Sequence, residues 1–165
     1  MPNPSRSRLL AVAFVATLFC CAAGAQDAAA RRKPAPYAEA SSKPTVGERA
    51  AKIALREVGV PYRWGGASPA SGFDCSGLVY WVYGRLGLEL PHSSYALYDR
   101  GRPVLRSRMR PGDLLFFSGL GHVGIYLGLG RMVHAPHTGA RVQVVRLARS
   151  GYGARIVGVR RIARR

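Results

Sequence analysis

The fold is decided by Gly72-Phe73-Asp74-Cys75-Ser76-Gly77, where a glycine-rich segment meets an apolar helical pattern. After this stretch, Leu78, Val82 and Leu86 recur at every fourth residue, and Gly87 is a natural stop. A repeat of this kind places apolar side chains on one face of a helix. The sequence therefore predicts a helix over residues 75–86 with a cysteine at its first position.

Cys75 is expected to be a nucleophile. Unpaired N–H groups and the positive end of the helix dipole stabilise a thiolate at a helix N-terminus, and the same groups can stabilise an oxyanion. We therefore expect Cys75 to be mostly thiolate at neutral pH. The alternative is a cysteine that only packs as a small apolar side chain, with Asp74 acting only as the helix N-cap.

The chain is predicted to begin with a leader and a linker. Residues 1–25 are typical of a secretory signal peptide, with a basic start, an apolar run and small residues at the cleavage position. Residues 26–46 are rich in Ala, Pro, Lys and Ser, which predicts a flexible linker before a domain over residues 47–165. We expect a periplasmic or secreted protein, without a lipid anchor at Cys20 or Cys21 and without a membrane span after cleavage.

Helical patterns come early in the domain and strand patterns come late. Residues 48–58 predict a first helix, residues 62–74 a loop, and residues 94–98 a short third helix. Apolar runs between glycine-rich turns then predict strands at 114–117, 122–127, 131–135, 142–147 and 156–162. This order predicts an α+β fold, in which helices pack on a mainly antiparallel sheet.

Two histidines lie on neighbouring strand patterns. His122 opens the run His-Val-Gly-Ile-Tyr-Leu, and His134 lies near the end of the next run. If these strands pair through the turn at 128–130, the two imidazoles come close together. A thiol nucleophile needs a group that takes its proton and later protonates the leaving amine, and imidazole does both. We therefore expect His122 to be the base for Cys75 and His134 to orient His122.

A zinc site is the other use of these residue types. It would draw on Cys75, His122, His134 and His137, but their spacing matches none of the usual zinc motifs. We therefore expect no metal and no other cofactor.

The motifs occur together in one known family. They are Pro61-Tyr62-Arg63-Trp64-Gly65-Gly66, Phe73-Asp74-Cys75-Ser76-Gly77-Leu78-Val79, Leu90-Pro91-His92-Ser93-Ser94, Arg110-Pro111-Gly112-Asp113-Leu114-Leu115-Phe116-Phe117, His122-Val123-Gly124-Ile125-Tyr126-Leu127-Gly128 and His134-Ala135-Pro136. In this order, residues 48–147 resemble the NlpC-type family of bacterial cell-wall cysteine peptidases. The resemblance implies a small papain-like α+β fold. It also implies hydrolysis of amide bonds in peptidoglycan stem peptides or their cross-links, without a metal.

The resemblance also implies roles for individual side chains. It implies Cys75 as nucleophile, His122 as base and His134 as the polar third member. It implies substrate-binding or oxyanion roles for Tyr62, Asp74, Ser76, Ser93 and Ser94. From the residues alone, Tyr62 is equally a packed aromatic, and the two serines before the third helix equally cap that helix.

The chain departs from the resembled family at two positions. Many relatives carry an arginine just after the Leu-Pro pair and a glutamine five residues later, where this sequence has His92 and Leu97. Both residues are expected near the substrate cleft. They therefore bear on which stem-peptide bond is recognised.

The protein is strongly basic. Its 165 residues include 25 Lys and Arg against 8 Asp and Glu, a formal charge of +17 that falls to +15 once the leader is removed. This charge favours anionic partners. No nucleic-acid-binding module organises the arginines, so we expect anionic envelope polymers and not nucleic acid as partners of a monomeric protein.

Functions of different classes stay open from the sequence. The first is an exported cysteine endopeptidase that forms a thioester on Cys75. The second is a non-catalytic, basic wall-binding or envelope-scaffolding module on the same fold, and a third is an acyltransferase that also uses a thioester. The complete set of Cys75, His122 and His134 favours the first, because a binding module need not keep all three.

Overall fold

The computed structural model describes residues 43–163. The predicted signal peptide, residues 1–25, and residues 26–42 of the predicted linker lie outside this range. Between residues 43 and 163, no helix combines the length and the apolar character that a membrane crossing requires.

Three helices and eight strands form the domain. The helices are α1 (Val46–Arg56), α2 (Cys75–Gly84) and α3 (Ser94–Tyr98). The strands are β1 (Ala67–Ser68), β2 (Gly72–Phe73), β3 (Arg102–Pro103), β4 (Leu114–Phe117), β5 (Val123–Gly128), β6 (Arg131–His134), β7 (Gln143–Arg146) and β8 (Ile156–Arg161). Strands β1 and β2 form a small hairpin, and the others form one sheet in the order β3-β8-β4-β5-β6-β7. All these strand pairs are antiparallel, so the predicted α+β fold is confirmed.

Helix α1 begins inside the range predicted as linker. The Thr45 hydroxyl accepts a hydrogen bond from the Glu48 N–H, and the Glu48 carboxylate accepts one from the Thr45 N–H, at 3.2 and 2.8 Å. This capping box satisfies two donors that a helix end otherwise leaves unpaired. The first helix therefore begins at Val46, with Thr45 as its N-cap, at the end of the range predicted as linker.

Helix α2 starts where the sequence predicts and ends two residues earlier, at Gly84. The Asp74 carboxylate accepts a hydrogen bond from the Gly77 N–H at 2.7 Å, as expected of an N-cap. A Cβ at Gly77 would collide with the carbonyl of Gly66 and lie 2.9 Å from His92 Nε2. Glycine here therefore lets the preceding loop approach the first helical turn closely.

The segment predicted as a loop, residues 62–74, contains the β1–β2 hairpin. Each of these strands has only two residues. Strands of that length leave no alternation of apolar and polar residues for a sequence pattern to detect. The hairpin closes with Phe73 fully buried, directly before the start of α2.

Strand β4 is buried on both faces because two apolar clusters cover the sheet. Leu114 and Phe116 belong to the cluster that includes the inner faces of α1 and α2. Leu115 and Phe117 alternate with them and belong to a second cluster on the opposite face. Helices α1 and α2 both contact β5. This packing brings the start of α2 to the sheet.

Candidate active site

Cys75 lies at the junction of α2 and β5. It is the first residue of the helix, and its Sγ donates to the carbonyl oxygen of Gly121 at 4.0 Å. The backbone N–H of Val123 also faces the thiol. The sulfur therefore lies against the backbone on both sides of His122. This contact brings together the Cys75 motif and the His122 motif, although the two residues are 47 positions apart in the chain.

His122 and His134 meet across paired strands. Strands β5 and β6 pair antiparallel with Ile125 opposite Val133, as predicted from the turn that joins them. His122 Nε2 lies 2.9 Å from His134 Nδ1. A Cβ on the neighbouring Gly124 would lie 2.9 Å from Met132 Sδ, so glycine lets the side chains of β6 pack closely against β5 here.

The bond between the imidazoles relates their tautomers. A neutral His122 that donates through Nε2 keeps a lone pair on Nδ1. His134 then accepts at Nδ1 and carries its own hydrogen on Nε2, which is buried and has no hydrogen-bond partner among residues 43–163. This assignment leaves His122 Nδ1 as the ring atom able to take a proton from a thiol.

Tyr152 covers both imidazoles. Its ring stacks on His122 at 5.7 Å between centroids and 29°, and it meets His134 edge-on at 4.9 Å. It also meets Phe117 edge-on at 5.0 Å. Tyr152 could not be found from the motifs, because this residue lies in a turn outside all of them. Its only sequence signal is an aromatic residue between Gly151 and Gly153.

The histidine pair is neutral at rest. Burial, together with a smaller effect of the charge of Arg155, lowers the pKa of His122 to about 4. Burial also lowers the pKa of His134 to about 3, with smaller contributions from His122 and His137. Both imidazoles are therefore uncharged near neutral pH.

The thiol of Cys75 is also neutral at rest. Burial raises its pKa, and the charge of Asp74 adds to this effect. The N–H groups of Val123, Ser76 and Cys75 itself lower the pKa but do not outweigh burial. The prediction that Cys75 is mostly thiolate at neutral pH is therefore wrong, because burial removes the thiol from water more completely than at an exposed helix N-terminus.

A cleft of about 480 Å³ opens beside the sulfur. It is lined by Trp64, Gly65, Asp74, Cys75, Ser76, His92, Ser93, Ser94, Tyr95 and Gly121. The cleft thus collects Cys75 and four of the five residues predicted to bind substrate or the oxyanion. Within residues 43–163, no three His, Cys, Asp or Glu side chains converge to hold a metal ion.

Asp74 organises the wall of the cleft. Its carboxylate accepts hydrogen bonds from the N–H groups of Gly65 and Gly77 and from the Ser76 hydroxyl, at 2.7 to 2.9 Å. It also lies 3.0 Å from His92 Nε2. Burial opposes its ionised form, but the hydrogen bonds from Gly77, His92 and Ser76 prevail and lower the pKa of Asp74. Asp74 is therefore a fixed negative charge beside Cys75.

The remaining predicted residues lie around this wall. The Tyr62 ring packs partly buried against the core, and burial, followed by the charges of Cys75 and Asp74, raises the pKa of its hydroxyl. Ser93 accepts a hydrogen bond from the Ala96 N–H at 3.4 Å and caps α3, while also lining the cleft. Ser94 is buried at the same wall.

The two departures from the family pattern have different positions. His92 lines the cleft as expected. Leu97 is fully buried in the main core cluster, so the expectation that it lies near the cleft is wrong. An apolar side chain is stabilised on the inner face of α3 by this burial. Two aromatic residues also line the cleft, Trp64 and Tyr95, which are 84% and 60% exposed.

Comparison with known proteins matches residues 59–161 to the model of the NlpC/P60 family. A probable endopeptidase of Mycobacterium tuberculosis is 52% identical over 114 residues, which cover 66% of this chain and 29% of that protein. The murein DD-endopeptidase MepH of Escherichia coli is 39% identical over 127 residues, which cover 70% of this chain and 47% of that protein. The chain thus spans less than half the length of these relatives.

Solved structures share the fold. The NlpC/P60 domain of the peptidoglycan hydrolase SagA superposes with a TM-score of 0.63 at 32% identity, over 70% of this chain and 98% of that chain. NlpC2 from Trichomonas vaginalis superposes with a TM-score of 0.68 at 28% identity, over 74% of this chain and 48% of that chain. Since the family match spans more than half of the chain, the protein belongs to the NlpC/P60 family.

Proposed function

We propose that the protein is an exported cysteine endopeptidase that hydrolyses amide bonds in peptidoglycan stem peptides or their cross-links. The observation that carries this proposal is the position of Cys75 Sγ against the backbone on both sides of His122, whose ring bonds His134 at 2.9 Å. The relatives support the substrate class, since one is named a murein DD-endopeptidase and another a peptidoglycan hydrolase.

In the first proposed step, Cys75 attacks the amide carbonyl carbon. The thiol proton passes to His122 Nδ1 as the sulfur–carbon bond forms, and the carbonyl oxygen becomes an oxyanion. Because thiol and imidazole are both neutral at rest, proton transfer accompanies the attack. The resulting imidazolium is oriented by the bond from its Nε2 to His134.

The oxyanion is stabilised by the start of α2. The N–H groups of Cys75 and Ser76 already face the sulfur and have no acceptor within the helix. They can donate to the oxyanion, as can the hydroxyl of Tyr62. Asp74 keeps these donors in place because it caps the same helical turn.

The intermediate then divides into products. It expels the amine, which takes the proton from His122, and leaves a thioester on Cys75. Water attacks the thioester carbon while His122 takes its proton, and the thiolate leaves and recovers that proton. The products are one new amine and one new carboxylate, so the step consumes only water.

The cleft suits a polar peptide with charged ends. Asp74 offers a negative charge, His92 a ring that bonds it, and Ser93 and Ser94 offer hydroxyls. Trp64 and Tyr95 add exposed aromatic faces that can cover the aliphatic parts of a stem peptide.

The proposal includes the organisation of the chain. A signal peptide at residues 1–25 directs export, a linker at residues 26–46 follows, and residues 47–165 form the peptidase domain, whose first helix is capped by Thr45. The mature protein acts as a monomer in the periplasm or outside the cell.

The test is digestion of purified peptidoglycan by the mature protein, with mass spectrometry of the released fragments. We expect fragments with new amino and carboxyl ends, and a folded Cys75→Ser variant that releases none above background. Binding without release by the parent protein would support a wall-binding module instead. Fragments joined to an added amine, in place of free carboxylates, would support an acyltransferase.

A further inference from the structure

A second groove lies between α1 and α2 and shares no residue with the cleft. Its volume is about 460 Å³. Four cationic side chains line it together with one aromatic ring and one carboxylate, namely Arg49, Lys52, Arg56, Arg85, Trp81 and Glu57. The groove is therefore a local concentration of the positive charge that is spread over the sequence.

Within the described residues, the cations of this groove are not paired with carboxylates, and only Arg85 has a side-chain contact of another kind, with the ring of Trp81. Among residues 43–163, none of the four forms an ion pair or donates a side-chain hydrogen bond. The one carboxylate, Glu57, accepts the indole N–H of Trp81 at 3.1 Å. By contrast, Arg141, Arg160 and Arg161 hold the fold by donating to carbonyl oxygens or to Asp113.

Three of the four cations form a row along α1. Arg49, Lys52 and Arg56 follow each other at spacings of three and four residues, so they lie along one face of α1. The row spans about 10 Å of the helix axis at 1.5 Å per residue. Like charges at these spacings destabilise a helix slightly. An anionic ligand in the groove would reverse that repulsion.

The row favours an extended ligand. A single small anion reaches one or two of the cations, whereas a chain with repeated anionic groups reaches the row on α1 and also Arg85, directly after the end of α2. The guanidinium of Arg85 lies 5.8 Å from the centre of the Trp81 ring. The ring thus gives the groove an apolar wall against which the uncharged units of such a chain can pack.

We propose that the α1–α2 groove binds a linear polyanion, specifically a chain of phosphate groups, and so holds the domain on an anionic polymer. The cleft at Cys75 stays open while the groove is occupied, because no residue lines both. This inference goes beyond the proposed hydrolysis and does not depend on it.

The chain offers its own fluorescent reporter. It has two tryptophans, so Trp64→Phe leaves Trp81, in the groove, as the only one. Titration of this variant with short linear polyphosphate should change the Trp81 emission until the site is saturated. Lys52→Gln combined with Arg56→Gln should weaken binding by roughly ten- to thirtyfold. The same change should lower the slope of log affinity against log salt by about 2.

A matched control removes the same charge elsewhere. Arg131 and Arg146 are exposed and lie directly opposite each other on β6 and β7. Arg131→Gln combined with Arg146→Gln should keep the Trp81 response and weaken binding by less than about threefold, as expected of distant, screened charges.

Three outcomes would overturn the proposal. Equal losses in the two double variants would make binding a diffuse effect of net charge. Polyphosphate that binds by sedimentation without changing Trp81 emission would place the site elsewhere. Vesicles rich in anionic phospholipid that bind through Lys52 and Arg56, when polyphosphate does not, would make the ligand a lipid headgroup. None of these measurements requires hydrolysis, so they stand even if the proposed activity fails.

Discussion

Two histidines lie beside the candidate site in opposite environments. His122 packs against the rings of Phe117 and Tyr152 and bonds another imidazole. His92 has a side chain that is 30% exposed and bonds the carboxylate of Asp74. The first environment is largely buried and aromatic, whereas the second is more open and contains a fixed negative charge.

The two environments suit two different roles in the proposed site. Burial disfavours the charged form of an imidazole, so His122 is kept ready to accept a proton. A carboxylate partner fixes a ring in position, so His92 is suited to shape the wall of the cleft. Cys75 shares features of both environments, because its side chain packs partly against the core and also lines the cleft.

The sharpest way to break this comparison is to remove each ring separately. We expect His122→Ala to lower kcat/KM by about 10²–10⁴-fold, because general acid–base catalysis is lost. His92→Ala should cost less than about tenfold, mainly in KM, because it loses a contact at the cleft wall. The measurement is the rate of fragment release from a soluble peptidoglycan stem peptide. Equal losses in kcat would show that the two rings do not divide the work.

The next effect concerns the partner of His122. His134→Ala should reduce kcat by roughly ten- to a hundredfold without abolishing turnover, as is usual for a group that orients a functional imidazole. His134→Gln should recover part of the loss, because its amide oxygen can accept the hydrogen bond from His122 Nε2. Circular dichroism checks that both variants fold. If both lose as much as His122→Ala, His134 itself takes part in proton transfer.

A smaller effect is expected at Tyr152. Replacement by Leu should lower kcat by about two- to tenfold, since the ring contacts to His122 and His134 are lost. Tyr152→Phe should keep nearly full activity, because the contacts are made by the ring. A Phe variant as impaired as the Leu variant would instead assign a role to the hydroxyl.

The motif residues and the order of elements could be predicted from the sequence. Cys75, His122 and His134 meet because a helix start and two paired strands have simple periodic patterns, with Gly128 and Gly130 at the turn. The first turn of α2 was equally predictable, because Asp74 is a favourable N-cap. These features depend on local sequence.

Other features depend on contacts between distant parts of the chain. Tyr152 reaches the histidines from a turn after β7, and His92 reaches Asp74 from 18 residues away. The neutral state of Cys75 depends on how deeply the sheet and α2 bury it, and no local pattern reports that depth. The inward position of Leu97 similarly depends on which face of the short α3 meets the core.

The last prediction concerns stability in acid, and it tests the buried histidine pair alone. The native pKa values of His122 and His134 lie near 4 and 3, below the ordinary value of 6.5. The unfolded chain therefore binds more protons as the pH falls from about 6.5 toward 4. The stability due to these neutral rings is complete above 6.5 and is lost across that window, by up to about 1.4 kcal/mol per pH unit for each ring.

Urea denaturation at pH 7, 6 and 5 measures this loss. His134→Gln should flatten the decline of the free energy of unfolding, because one buried ring no longer gains a proton on unfolding. The window lies above the range in which Asp74 titrates, since the pKa of Asp74 is lowered from 3.8. An unchanged decline in His134→Gln would mean that this ring is charged in the native protein, and the neutral-pair mechanism would then be wrong.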